Sequence, residues 1–174
     1  IKSDLGEKNR FDETLRAMEK GYELIYHAYL VDGELRGEAD FLIKCSTPSK
    51  FGDYSYEVYD TKITRNLRPR HLTQITAYSD MVGKIQKVLP DKMYLIDGSD
   101  EEHSFKTIEY IDLFNHGKKE FLKFLSNVNK EKIYPEKCSY CNLCDWRDVC
   151  DKIWEDDNYV NLVAGSNKSQ IEKL

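Results

Sequence analysis

Two strand-like stretches constrain this chain more than anything else in it. Glu34 to Lys44 and Tyr54 to Ile63 are rich in aromatic and branched residues, and the turn formers Ser46, Pro48, Ser49, Gly52 and Asp53 separate them. They read as adjacent strands. Asp40 falls near the end of the first. Asp60 and Lys62 are two apart on the second, so they project from one face. Val58 continues that face as an apolar residue, which sets Asp60 and Lys62 where a core face meets solvent. Two carboxylates and an ammonium on one sheet face suit a hard divalent cation and a phosphate. Carboxylates supply oxygen ligands to Mg²⁺ or Mn²⁺, and a lysine holds an attacking water or offsets phosphoryl charge. A solvated strand face produces the same short pattern by chance in a chain with 33% charged residues.

The next segment adds weight. His71 to Lys87 carries an apolar stripe of Leu72, Ile75, Tyr78, Val82 and Ile85, which predicts a helix, and Pro69 suits its first turn. Gln74 and Tyr78 sit at i, i+4, on one side of it. Between strand and helix lie Arg65, Arg68 and Arg70, followed by His71. The bland reading is a solvated loop. The functional one is a phosphate-contact patch, since guanidinium groups grip phosphates bidentately.

The remaining periodicities predict a single α/β domain. Phe11 to Lys20 reads as a helix with Asn9 or Asp12 as N-cap, Leu15 and Met18 facing the core, and Gly21 as its stop. Tyr22 to Leu30 alternates Leu24, Tyr26, Ala28 and Leu30 as one half-buried face, with His27 a structural strand residue. Asp32-Gly33 centres a hairpin turn. Lys92 to Ile96 is a strand, Asp97 to Asp100 a turn, and Ser104 to Glu109 a further extended segment. Ile111 to Asn127 returns to helical spacing. There Leu113, Phe114, Phe121, Leu122, Phe124 and Leu125 are assigned to the core, with a break at His116-Gly117.

A net charge of −5 does not mark a non-specific DNA binder, so contacts to nucleic acid must come from a local basic patch and bound metal. No apolar run approaches the ~18 residues of a membrane span, and no signal peptide is evident. The expectation is a cytoplasmic protein with no membrane partner. Four of the five cysteines form Cys138-x-x-Cys141-x-x-Cys144-x5-Cys150. That density favours one metal centre in a reducing compartment over a disulfide framework. Thiolates at such spacings converge through tight turns, on zinc or on a 4Fe–4S cluster. Cys45 reads as a free thiol, and Trp146 and Trp154 as packing around the centre.

Asp40, Asp60-Thr61-Lys62 and Gln74-x-x-x-Tyr78 together resemble, in order and spacing, the PD-(D/E)xK nuclease superfamily, and within it the RecB-like nucleases. The likeness extends to Gly37-x-Ala39-Asp40-Phe41-Leu42, Tyr56-Glu57-Val58-x-Asp60-Thr61-Lys62, Cys141-x-x-Cys144-x-Trp146 and Leu162-Val163-Ala164-Gly165, and covers nearly the whole chain. The resemblance implies a restriction-endonuclease-like fold, a mixed central sheet flanked by helices, ahead of a C-terminal cysteine-rich metal-binding segment. It implies a Mg²⁺- or Mn²⁺-dependent DNA nuclease of repair or processing. Asp40 and Asp60 would be metal ligands, Lys62 would orient water, and Gln74 and Tyr78 would face the DNA. Single strands or free ends are the expected substrate.

The resemblance also favours iron–sulfur over zinc, with Cys141, Cys144 and Cys150 matching a C-terminal triad and Cys138 a local substitute for an N-terminal fourth ligand. It implies a metal-binding glutamate or histidine on a helix expected to precede this chain's start. Because the chain opens on Ile1, the expected organisation is a nuclease core over 1–136 lacking its N-terminal part, a cysteine cluster over 137–155, and an exit segment over 156–174 toward a further domain. Two other readings remain open at this point. One is an inactive nucleic-acid-binding module that keeps the fold. The other is a zinc-knuckle interaction domain.

Overall fold

Residues 6–127, 134–163 and 169 are described by a computed structural model. The expected helix start near Lys168, its caps Ser166 and Asn167, and the end of the Leu162–Gly165 motif lie outside those residues. The chain forms two compact units, Ile1–Leu122 and Lys123–Leu174.

The first unit is built on a five-stranded sheet in the order β1-β2-β3-β4-β5. Helix α1 (Glu7–Glu19) precedes β1 (Leu24–Asp32), β2 (Leu35–Cys45) and β3 (Ser55–Thr61). Helix α2 (Pro69–Gln86) then crosses to β4 (Lys92–Ile96), which leads to β5 (Glu102–Lys106) and α3 (Ile108–Ser126). β1, β2 and β3 pair antiparallel, β3 and β4 parallel, and β4 and β5 antiparallel. The parallel step needs a crossover, and α2 supplies it. This is the mixed α/β sheet with flanking helices that the resemblance implied.

Helix α2 buries Ile75, Tyr78, Met81 and Val82, one stripe at helical spacing. Ile75 and Val82 are fully buried; each such side chain contributes about 1.5–3 kcal/mol by leaving water. The stripe lies over Leu42, Tyr56 and Val58 at one end and Met93 and Leu95 at the other. Gln86, also fully buried, closes the helix onto β3. Its Oε1 accepts the Tyr56 amide at 2.8 Å, and its Nε2 donates to the carbonyls of Tyr56 at 3.2 Å and Val88 at 3.0 Å. The start of β3 thus finds backbone partners where β4 has not yet begun.

Several expectations fail in instructive ways. Helix α1 starts at Glu7, capped by Gly6, rather than at Asn9 or Asp12. In β1 the inward face changes midway: Leu24 and Tyr26 are about half exposed, whereas Ala28 and Leu30 are buried. The change occurs at His27, whose φ of 52° lies in the left-handed region, between the pairs Tyr26↔Phe41 and Ala28↔Ala39. A strict period of two cannot survive such a kink. β5 occupies Glu102–Lys106, earlier than expected, and α3 begins at Ile108 and runs through His116-Gly117 without a break.

The core assignment in α3 is wrong as well. Ile111 is its buried residue, whereas Leu113 is 76% exposed and Phe121, Phe124 and Leu125 are 45–60% exposed. Periodicity identified the helix but not what covers its stripe. Part of that stripe, with Leu72 and Thr73 of α2, lines an open apolar groove.

In the second unit a short 3-10 turn (Cys141–Leu143) precedes α4 (Arg147–Asp156). Trp154 is buried there, its Nε1 donating to the Pro135 carbonyl at 2.9 Å, whereas Trp146 is 70% exposed and does not pack inward.

An ion-pair network ties β1, α2 and α3 together. Lys84 bonds Asp32 at 2.7 Å and Asp80 at 2.8 Å; Lys118 bonds Asp80 at 3.1 Å and also Asp32. Burial pushes the Asp32 carboxyl up, but hydrogen bonds from Lys118 and Lys84 outweigh it and hold it below its ordinary value. A carboxyl lowered in the folded state stabilises the fold above the unfolded pKa of about 3.9, and that contribution is lost as pH falls through the lower folded value. Urea denaturation of Asp32→Asn from about pH 6 down to about pH 2 therefore gives a shallower loss of stability than wild type. Parallel profiles would contradict this role.

Candidate active site

The site forms where β2 and β3 splay beyond their last paired residues, Phe41↔Tyr59. Asp40 and Asp60 follow directly, one on each strand. Asp40 turns to Thr61: its Oδ2 accepts the Thr61 amide at 2.7 Å and the Thr61 hydroxyl at 2.5 Å. Two donors on one oxygen fix the carboxylate and leave Oδ1 for another partner.

Asp60 shares the face of Tyr56 and Val58 and is only 2% exposed, and the Asp40 backbone amide donates to its carboxyl. Lys62 donates from Nζ to Asp60 Oδ2. Burial pushes the Asp60 carboxyl up; the Lys62 bond and charge pull it down, the Asp40 charge raises it, and the net direction is upward. One ammonium does not fully compensate two neighbouring carboxylates in a buried setting. Lys62 itself is held by an extension of the parallel ladder, its amide donating to the Ile96 carbonyl at 2.8 Å.

Gln74 and Tyr78 meet as their spacing predicts. Gln74 Nε2 donates to Tyr78 Oη at 2.8 Å. Tyr78 is largely buried, and burial, with Asp60 and Asp40 nearby, raises its phenol pKa. Its ring lies against Gly37, where an added Cβ would stand 2.4 Å from Cε1. The glycine two residues before Ala39 is therefore the floor on which Tyr78 rests. Arg65, Arg68 and Arg70 are exposed around the start of α2. His71 is buried among them, and its imidazole pKa is lowered, by burial first and then by Arg70, Lys62 and Arg68.

Sequence reasoning missed several supporting groups. Glu38 pairs with Arg10 of α1 and with His27 Nδ1, the latter at 2.5 Å. At this level α1 presents an arginine to β2. A second missed group closes the β4–β5 turn. Asp97 Oδ1 accepts the amides of Ser99 at 2.7 Å and Glu101 at 3.3 Å, and its Oδ2 lies 2.9 Å from His103 Nε2. His103 first, then the Ser99 amide, hold the Asp97 carboxyl low. Among the described residues, Asp97, Glu101 and His103 are the three metal-ligand side chains whose donor atoms gather within 4.8 Å. Their oxygen and nitrogen donors suit a divalent cation. They also brace the segment after Lys62, because the Gly98 amide of the same turn donates to the Thr64 carbonyl at 3.1 Å. The Asp-Gly pair signalled a turn in the sequence; nothing signalled the histidine partner of Asp97 six residues on.

The cysteines lie together only in part. Cys138 and Cys141 Sγ are 3.9 Å apart, and the Cys138 amide donates to Cys141 Sγ at 3.2 Å. Cys150, on α4, has its thiol pKa raised by burial and then by neighbouring Cys144 and Cys141. Cys45 stands apart, its Sγ 3.1 Å from Ser55 Oγ.

The sequence model of the PD-(D/E)XK nuclease superfamily matches residues 3–151, from before α1 to within α4. No curated protein sequence matches the chain.

The Gly37 contact yields a prediction. Gly37→Ala must displace Tyr78 and with it Gln74. Overpacking of this kind costs about 1–3 kcal/mol, read as a lowered urea midpoint. The tyrosine's displacement separates this from ordinary strand destabilisation: quenching or NMR signals of Tyr78 change in Gly37→Ala but not in Gly33→Ala. Unchanged Tyr78 signals would contradict the packing described.

Proposed function

The chain belongs to the PD-(D/E)XK nuclease superfamily, and on that premise we propose that it is a metal-dependent DNA nuclease of the RecB-like type, hydrolysing phosphodiesters in DNA repair or processing. The observation that carries the reading is Asp60, 2% exposed beside Asp40 and bonded by Lys62; burial and the Asp40 charge push its carboxyl up despite the Lys62 contact and the Asp40 amide. A divalent cation relieves that imbalance, and the all-oxygen donor set of Asp40 and Asp60 fits Mg²⁺ or Mn²⁺. When bound, such an ion polarises the phosphoryl group and lowers the pKa of a coordinated water.

The chain's own residues do the rest. Thr61 fixes Asp40. Lys62 Nζ, with three donors and one taken by Asp60, holds the attacking water in line or the developing phosphoryl charge. Gln74 and Tyr78 position the strand, and Arg65, Arg68 and Arg70 contact flanking phosphates. Single-stranded DNA or free ends are the proposed substrate, and a cytoplasmic setting with reduced thiols fits the cysteines. Among the described residues no helix is long and apolar enough to cross a membrane. We carry the 1–136 core, the 137–155 cysteine segment and a further domain beyond 156–174 forward as part of the same proposal.

Cys138, Cys141, Cys144 and Cys150 are proposed to hold one metal centre in the second unit. A 4Fe–4S cluster follows from the resemblance. The 3.9 Å between Cys138 and Cys141 Sγ favours zinc as a second reading, since two thiolates at ~2.3 Å from one tetrahedral ion stand about that far apart. Metal analysis of anaerobically purified protein decides: iron with sulfide supports the cluster, and zinc without iron supports the knuckle. Neither metal at stoichiometric level would contradict a centre here.

Lys62 separates a catalyst from a binder. As a mere partner of Asp60, its loss would cost little in rate. As the group that meets the transition state, its loss appears in turnover and not in ground-state binding. Lys62→Ala is expected to cleave DNA roughly 10²–10³ times more slowly, with DNA affinity little changed and the melting temperature lowered at neutral pH, because the buried Asp60 loses its cationic partner. Equal cleavage by Lys62→Ala and wild type would sink the assignment.

A further inference from the structure

The start of α2 holds an imidazole facing more donors than it can serve. His71 is 6% exposed. Its Nδ1 faces the Arg68 amide at 3.2 Å, and its Nε2 faces Arg70 Nε at 3.3 Å. Both neighbours are N–H donors, and among the described residues they are the ring's hydrogen-bonding partners. A neutral imidazole accepts at one nitrogen only. Protonation worsens the mismatch by setting two donors against two donors; burial first, and then the Arg70, Lys62 and Arg68 charges against that of Asp60, favour the neutral ring.

The helix cap decides which nitrogen accepts. The Arg68 amide is an orphan donor of the helix start, and a side chain three residues on is placed to accept from it. Nδ1 therefore keeps its lone pair and Nε2 carries the proton. His71 Nε2–H and Arg70 Nε–H then stand 3.3 Å apart, two donors with no acceptor of their own between them. A buried donor left unmatched is costly, and an arriving acceptor removes that cost. The α2 dipole and Lys62 select an anion as that acceptor.

We propose that His71 and Arg70 form a two-donor fork that grips one non-bridging phosphate oxygen of a nucleic-acid strand, with His71 as its rigid, neutral prong. The inference rests on the proposed function for the identity of the anion, and it adds to the arginine patch a phosphate contact that no arginine pattern contains. The exposed Arg70 side chain alone has no fixed direction; the buried ring supplies one. His71 is a positioning and binding residue here. It exchanges no proton with the reacting atoms.

The test uses the whole chain without divalent cation, so that no cleavage occurs. Nitrogen-15 NMR of labelled histidine reads the His71 tautomer before and during titration with a short oligothymidylate. The expected result is an Nε2–H tautomer in the free protein whose Nε2 resonance moves on binding. His71→Asn keeps a short acceptor for the Arg68 amide and deletes the prong. It is expected to melt like wild type and to bind the oligonucleotide roughly tenfold more weakly. Arg70→Gln weakens binding similarly. Because both donors share one acceptor, the double variant loses much less than the sum of the two.

An Nδ1–H tautomer, wild-type binding by His71→Asn, or strictly additive losses would each overturn the fork. If His71→Asn does not fold, the wild-type tautomer and its shift decide alone. A coupled fork in a protein that never cuts DNA with metal refutes the nuclease reading and leaves the fork standing. Cleavage with an Nδ1–H ring refutes only the fork.

Discussion

The site depends on a charge placed where water cannot stabilise it. Asp60 sits on the inner face of β3, two residues beyond Val58, at the level where β2 and β3 part. A carboxylate in that position must find compensation or take up a proton. Lys62 gives part of it, locked in place by the Ile96 carbonyl. The rest of the first unit serves this arrangement. The antiparallel β2–β3 pair brings Asp40 alongside, and the parallel β3–β4 pair fixes the lysine. Helix α2, buried through Ile75 and Val82, brings Gln74, Tyr78 and His71 around the opening.

The parts of this legible in the sequence are those governed by short-range rules. The turn formers between Cys45 and Ser55 separate β2 from β3, Tyr56, Val58 and Asp60 share a buried period-two face, and the α2 stripe buries Ile75, Tyr78 and Val82 with Leu72 and Ile85 half-buried. Asp60 with Lys62, and Gln74 with Tyr78, meet because two and four residues are the repeats of a strand and of a helix. Where a long-range event intervenes, the reading fails. The left-handed His27 swaps the faces of β1, and no pattern in Tyr22 to Leu30 announces it. The α3 stripe is as periodic as the α2 stripe, yet Leu113 and Phe124 stay in solvent. Periodicity reports amphipathicity, and only packing says whether a partner exists.

Supporting groups were hidden for a related reason. Thr61 lies inside the most recognisable motif but matters through its hydroxyl on Asp40, a contact across strands. Gly37 matters through a tyrosine forty-one positions later, and Asp97 through the backbone amides of its own turn. Each is a residue whose type is ordinary and whose partner is distant or is main chain. The acidic net charge of −5 is compatible with the site because Arg65, Arg68 and Arg70 are gathered around the start of α2, while anions such as Asp32 and Asp80 pair with lysines elsewhere.

The central claim is that Asp40, Asp60 and Lys62 form a metal-dependent phosphodiesterase site. Its most direct test is cleavage of single- and double-stranded DNA in Mn²⁺, with Mn²⁺ binding measured on the same samples, for wild type and Asp60→Asn. The account predicts that wild type binds the ion and cuts, and that Asp60→Asn, which is isosteric but neutral, loses both together while staying folded. Cleavage by Asp60→Asn at the wild-type rate, or Mn²⁺ binding by wild type with no cleavage of either substrate, would contradict it.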